Sequence, residues 1–154
     1  MRGARRTLIL LIGGVLFVAA IGKLLDNRFF AEALAQWRLF PSWSLLPLGA
    51  VTSLSELALA AWLFSGWRLP QAAIFAVVFH LGYVVATVIT LSRGIRLADC
   101  GCFGILFPHP LNWVMAFEDL GFASLSFALY LIAKRGGLPS QGHRFVYSRG
   151  VRWP

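Results

Sequence analysis

The residues best placed by type and spacing to do chemistry are two cysteines, Cys100 and Cys102, in Asp99-Cys100-Gly101-Cys102-Phe103-Gly104. Two residues of extended chain span roughly 7 Å, and a disulfide needs Cα atoms about 4.4–6.8 Å apart. The pair can therefore bond only where the chain bends, and Gly101 and Gly104 allow the dihedrals of such a bend. Chain entropy gives so small a ring roughly 1.6 kcal/mol before strain, against about 3 kcal/mol for a 15-residue loop. A bond that crosslinks almost nothing is a poor staple. A tight, strained and exposed one is easily reduced, which is the profile of a redox-active pair. Two other readings stay open. Cys100, Cys102, His109 and Asp99 could supply metal ligands, although C-x-C departs from the usual zinc half-site spacing and Pro108 and Pro110 stiffen the loop. Alternatively, the thiols are inert in a tight turn. Lys23 and Arg96 would bring positive charge near the pair, and Asp99 negative charge.

Other ionisable residues interrupt long apolar runs. Glu56 lies 11 residues after Leu45, about 16 Å along a helix, and His80 lies nine residues after Gln71, about 14 Å. An acid near mid-bilayer costs about 2.5–3.5 kcal/mol on insertion scales, so such residues face inward and pair. Glu56 and His80 are expected to meet in the core, as a proton relay, a cofactor contact or a bond that sets helix register. Lys23 and Asp26, three residues apart, share a helical face and are expected to pair. Of the adjacent Glu118 and Asp119, at least one suits the dipole of a helix N-terminus, and the other faces the polar end near Lys23. Gly13, Gly14, Gly22 and Gly82 are expected at close helix contacts.

Composition restricts the elements that can hold these groups. Of 154 residues, 58% are hydrophobic and 13% charged, against about 25% charged in soluble domains. That excludes a cytosolic enzyme, a disordered tail and a small disulfide-stapled secreted module. Four stretches, 7–25, 45–64, 71–91 and 113–133, reach the roughly 20 apolar residues that cross a bilayer. None alternates with period two, so each reads as a helix. Connections are short apart from 26–44 and 92–112, which predicts an all-α integral membrane protein, an antiparallel four-helix bundle over 1–135. A basic cytoplasmic tail follows over 136–154.

Nine of the 14 Lys and Arg fall on the side of the N-terminus, which predicts an N-in, C-in topology. Asp26, Glu32, Asp99, Glu118 and Asp119 then lie on the outer half, Trp43 and Trp113 at the outer interface, and Trp62 and Trp67 at the inner one. The net charge of +8 is accounted for by anionic lipid, with no nucleic acid. MRGARR followed by an apolar run and Ala20-Ile21-Gly22 also has the form of a cleaved signal peptide. The run continues past Lys23 into Leu24 and Leu25, which favours a retained helix.

Several of these residues resemble a known pattern. Lys23-Leu24-x-Asp26 with Phe29 and Phe30 after the first span, Glu56 in the second and Gly66 before the third are similar to the MauE/DoxX-like group of small four-helix membrane proteins. The run Asp99 to Gly104 before the last span is the most specific match. The resemblance covers residues 7–135, and Glu118 stands before Asp119 where the pattern has a basic residue. It implies a role in maturing a disulfide-rich periplasmic partner, such as a methylamine dehydrogenase small subunit, from the cell inner membrane.

On that basis Cys100 and Cys102 are the expected catalytic pair, exchanging with a periplasmic or thioredoxin-like protein through a mixed disulfide. Asp99, Gly101, Phe103, Gly104, Lys23, Asp26, Glu56, His80 and Asp119 are the expected supporting residues. Electrons would pass to or from a membrane quinone by analogy with other four-helix thiol oxidoreductases; no residue in the sequence marks its site. The alternative is a non-enzymatic assembly factor whose outer loops dock a partner. A small transporter using Glu56 and His80 is disfavoured, since four helices without an internal repeat leave little room for alternating access.

Overall fold

The computed structural model describes residues 2–136, so the tail expected over 136–154 lies, beyond Gly136, outside the described residues. Four helices, α1 (Arg2–Leu25), α3 (Leu45–Ser65), α4 (Leu69–Ser92) and α5 (Trp113–Gly136), form the antiparallel bundle. Each is long and apolar enough to cross a membrane. Pro47 sits in the first turn of α3 and Pro70 in that of α4, where a missing N–H breaks no intrahelical bond.

In lipid, helices gain nothing by hiding apolar surface from one another, so close packing of small side chains holds them together. Ala72, Ala73 and Ala76 of α4 are fully buried and pack in one cluster with Ile12 and Leu16 of α1, Leu63 of α3 and Leu129 of α5. Leu10, Val51, Phe75, Val85 and Phe117 stay exposed, facing lipid. α1 packs chiefly on α3 and α4 chiefly on α5, while α3 meets α4 only sparsely.

The connection over 26–44, read from the sequence as a loop, is mostly a helix, α2 (Asn27–Trp37). Asp26 starts it by accepting the Phe29 N–H at 2.9 Å, as N-cap residues do. Phe30, Ala33 and Trp37 recur at helical spacing and are buried, which makes α2 amphipathic.

The second long connection, 93–112, folds back on itself across the same end of the bundle. Leu111 N–H donates to the Leu97 carbonyl at 3.0 Å and Cys100 N–H to the His109 carbonyl at 2.7 Å. Gly101 and Gly104 both adopt positive φ, +74° and +57°, a conformation costly for residues with a Cβ. They also lie tightly against neighbouring helices. A Cβ at Gly101 would strike Ala33 of α2, and one at Gly104 would strike the backbone of Gly22 in α1. A Cβ at Gly22 would in turn run into the Phe103 carbonyl oxygen. Gly13 packs against the Phe64 ring, but Gly14 and Gly82 have open space beside them, so the expectation of close helix contact fails at those two positions.

Because the atom facing Gly22 is a carbonyl fixed within a turn, Gly22→Ala is expected to destabilise by about 1–3 kcal/mol, the range for overpacked sites. Gly121→Ala, with nothing nearby, should leave stability unchanged or raise it. Thermal unfolding midpoints of the detergent-solubilised variants check both.

Candidate functional site

The folded connection brings the sulfur atoms of Cys100 and Cys102 to bonding distance, with Cα atoms 5.4 Å apart. Their surroundings differ. Cys100 is fully buried in a cluster with Trp37, Leu91, Leu111 and Met115. Trp37 Nε1 donates to the Cys100 carbonyl at 3.1 Å, and the Cys102 N–H donates to Cys100 Sγ at 3.1 Å. Cys102 is only half-buried, with its sulfur 3.9 Å from that of Met115. The expectation of an exposed pair is thus corrected for Cys100, because α2 lays Trp37 over it.

Asp99 builds the turn. Its Oδ1 accepts the Gly101 N–H at 2.9 Å and the His109 N–H at 3.3 Å. His109 Nε2 in turn lies 2.9 Å from Glu118 Oε2. With Asp99 and His109 so engaged and the sulfurs facing each other, the set weighed as metal ligands does not converge. Among the described residues no group of three His, Cys, Asp or Glu is placed to hold a metal ion.

On one side of Cys102 lies a cavity of about 60 Å³, reached by Lys23, Glu56, His80, Tyr83 and Asp119 among apolar side chains. Lys23 and Glu56 are each 1% exposed and form an ion pair of 2.5 Å between α1 and α3. Tyr83 of α4 joins them, accepting from Lys23 Nζ at 3.0 Å and donating to Glu56 Oε1. The Lys23 ammonium also lies 5.1 Å from the centre of the Phe30 ring and 5.2 Å from that of Tyr83, close enough for cation–π attraction. Two buried carboxylate oxygens, Glu56 Oε2 and Asp119 Oδ2, have no protein partner. A space of that volume lined by such groups suits water.

Two expected pairings do not form. Asp26 caps α2 instead of pairing with Lys23, because the helix ends at Leu25 and the Lys23 side chain turns inward to Glu56. Glu56 and His80 reach the same cavity without bonding to each other. Glu56 is taken by Lys23 and Tyr83, whereas His80 Nδ1 donates to the Ala76 carbonyl of its own helix at 2.8 Å and its ring stacks on Phe122. A carbonyl only accepts, so Nδ1 carries the proton and Nε2 of the neutral ring is left as an acceptor. Asp119 does face Lys23, and Glu118 faces the loop.

Of the expected residues, the cavity thus gathers Cys102, Phe103, Lys23, Glu56, His80 and Asp119. Gly101, Gly104 and Asp99 shape the turn, and Asp26 stands apart. Tyr83 and Trp37 escaped the sequence reading. Tyr83 lies three residues after His80, on the same helical face, and Trp37 is the last buried position of the unrecognised α2.

A second space opens on the other side of the cysteines. It is an apolar groove of about 370 Å³ between α2, α3 and α4, where α3 and α4 diverge. Both cysteines and Tyr83 line it, with Phe40, Leu48 and Val78 among its apolar walls. Val78 is 64% exposed, so the groove is open toward lipid.

Removing one partner of a buried ion pair strands the other, at a cost of about 3–5 kcal/mol, whereas removing both is far milder. Lys23→Met is accordingly expected to lower the unfolding midpoint sharply, and Lys23→Met with Glu56→Leu to recover most of the loss. A thermal double-mutant cycle in detergent measures it.

Comparison with known proteins places this arrangement. The family profile described as methylamine utilisation protein MauE matches residues 1–133. The methylamine utilization protein MauE of Methylorubrum extorquens is 32% identical over 129 residues, 81% of this chain and 65% of the relative. That of Paracoccus denitrificans is 28% identical over 116 residues, 75% and 62% of the two chains. The chain therefore spans a little under two thirds of the length of these curated relatives. No solved structure matches it. A family match over nearly all the described residues, on a bundle of four membrane-spanning helices, makes this chain a member of the MauE family.

Proposed function

We propose that this protein is a membrane thiol–disulfide redox accessory factor that helps to form disulfides in a periplasmic partner. The relatives are named for methylamine utilisation, and the expected client is a methylamine dehydrogenase small subunit. In this reading the protein spans the cell inner membrane with the cysteine loop outward, as the distribution of Lys and Arg supports. The observation that carries the proposal is the asymmetry of the sulfur pair. Cys100 is sealed, while Cys102 is half open and borders a cavity of buried charged groups.

That asymmetry assigns the roles. A thiolate of the partner attacks Cys102 Sγ, the bond to Cys100 breaks, and Cys100 leaves as a thiolate. The Cys102 amide already points at Cys100 Sγ, so a fixed donor meets the developing charge. A second thiolate of the partner then attacks its own sulfur in the mixed disulfide, releasing the oxidised partner and a Cys102 thiolate. The partner loses two electrons, which the cysteine pair gains. The partner's two thiols give up two protons and the Cys100 and Cys102 thiolates take up two, with the cavity of Lys23, Glu56, Tyr83 and Asp119 beside Cys102 as the route for them.

The single-cysteine variants should behave unequally. Cys100→Ser leaves the accessible Cys102 and is expected to label readily with a membrane-impermeant maleimide in intact cells. Cys102→Ser leaves only the sealed Cys100, and labelling by a membrane-impermeant maleimide in intact cells should be at least tenfold slower. Equal labelling removes the assigned roles, and labelling of Cys102 only after lysis removes the outward orientation. Full disulfide formation in the partner with both cysteines replaced by Ser would leave a docking role for the exposed loop residues Ile105, Leu106 and Phe107 in place of redox chemistry.

A further inference from the structure

From the groove on the lipid side of the cysteines we infer that the pair is reoxidised by a bilayer-dissolved two-electron acceptor of the quinone class, seated between α2, α3 and α4. The inference rests on the thiol–disulfide reading and adds the site of the oxidant. Both cysteines line this groove, whereas Cys102 alone of the two reaches the cavity of Lys23 and Glu56. An oxidant arriving here reaches the couple through the half-buried Cys102, with Cys100 directly behind it.

The walls restrict its chemistry. At about 370 Å³ the groove falls within the usual range for small-molecule sites, about 300–1,000 Å³, and its lining is almost wholly aromatic and aliphatic. Thr52 and Tyr83 are its hydroxyl-bearing residues. It opens past Val78 and Phe75, which are 64% and 58% exposed on the membrane face of α4. A ligand entering by that route is soluble in lipid. It must also take two electrons in one site and offer polar oxygens to a hydroxyl at the inner end. A quinone ring carrying an apolar tail meets all three conditions, while an acyl chain meets only the first.

The balance closes without a further reactant. Reduced Cys100 and Cys102 lose two electrons and two protons as their S–H bonds break and the S–S bond forms. The quinone gains both, and its two carbonyl oxygens become the hydroxyls of the quinol. Tyr83 stands in the wall between the two spaces and is bonded to Lys23 and Glu56. It therefore connects the proton-holding cavity to the place where the oxygens are protonated.

The test uses the full chain in detergent, reduced with dithiothreitol, desalted and kept free of oxygen. Decylubiquinone or water-soluble diamide is then added, and thiols are counted by a maleimide mass tag. One quinol is expected for each pair of thiols lost. Gly82 lines the groove and a Cβ there meets nothing within 4 Å, so Gly82→Phe is the variant to fill the site, and Val78→Trp fills it from the same helix. Each is expected to slow oxidation by decylubiquinone at least tenfold at an unfolding midpoint near that of the parent. Wild-type rates in both folded variants would overturn the groove as the site. Oxidation by diamide but not by decylubiquinone would overturn the inference and leave the thiol–disulfide reading standing. Resistance to both oxidants would end that reading as well.

Discussion

A lysine and a glutamate, each 1% exposed inside a membrane bundle, form the interaction on which the rest of the structure depends. Either charge alone would be costly at that depth. Together with the Tyr83 hydroxyl they satisfy one another and tie α1, α3 and α4 into one register. Tight hydrogen bonding and a low dielectric raise the stakes of such a network, since a missing member leaves a stranded charge. The Lys23 backbone position is equally constrained, because its neighbour Gly22 lies directly against the turn that carries the cysteines. Bundle register and the placement of the sulfur pair are thus set by two adjacent residues of α1.

The consequence is a wall with two unlike faces. Towards α1 and α5 it borders a water-sized space reached by Lys23, Glu56 and Asp119, and towards α2, α3 and α4 it borders a larger apolar space open to lipid. The sulfurs stand in that wall. Cys100 is packed against Trp37 and Met115, so Cys102 is the more accessible sulfur from either face.

Helix pairing explains why the groove exists. α3 and α4 are joined by the shortest connection between spanning helices, yet their strong contacts are with α1 and α5. The alanines of α4 face the bundle core and the larger Phe75 and Val78 face outward, so the gap is not filled by side chains. α2 lies across its upper end and supplies Phe30 and Trp37. An element that looks like a connector therefore roofs the groove and covers one sulfur.

Local signals made much of this legible in the sequence. Runs of apolar residues long enough for a bilayer give the four helices, since backbone groups in lipid allow little else. The spacing of Cys100 and Cys102 limits what their bond can do, and the depth of Glu56 requires an inward partner. The capping Asp26 and the helical spacing of Phe30, Ala33 and Trp37 were equally present, and α2 was missed only because its run is too short to cross a membrane. Which partner Glu56 takes was another matter. Lys23 is 33 residues away, and proximity along the chain favoured Asp26 for the lysine and His80 for the acid. Rotation of each helix about its axis, fixed by side-chain packing over its whole length, chose otherwise. The same packing buried one sulfur, left the other half open and kept α3 apart from α4. Pattern along a chain reports what each segment must hide; only the assembled bundle decides what it is hidden against.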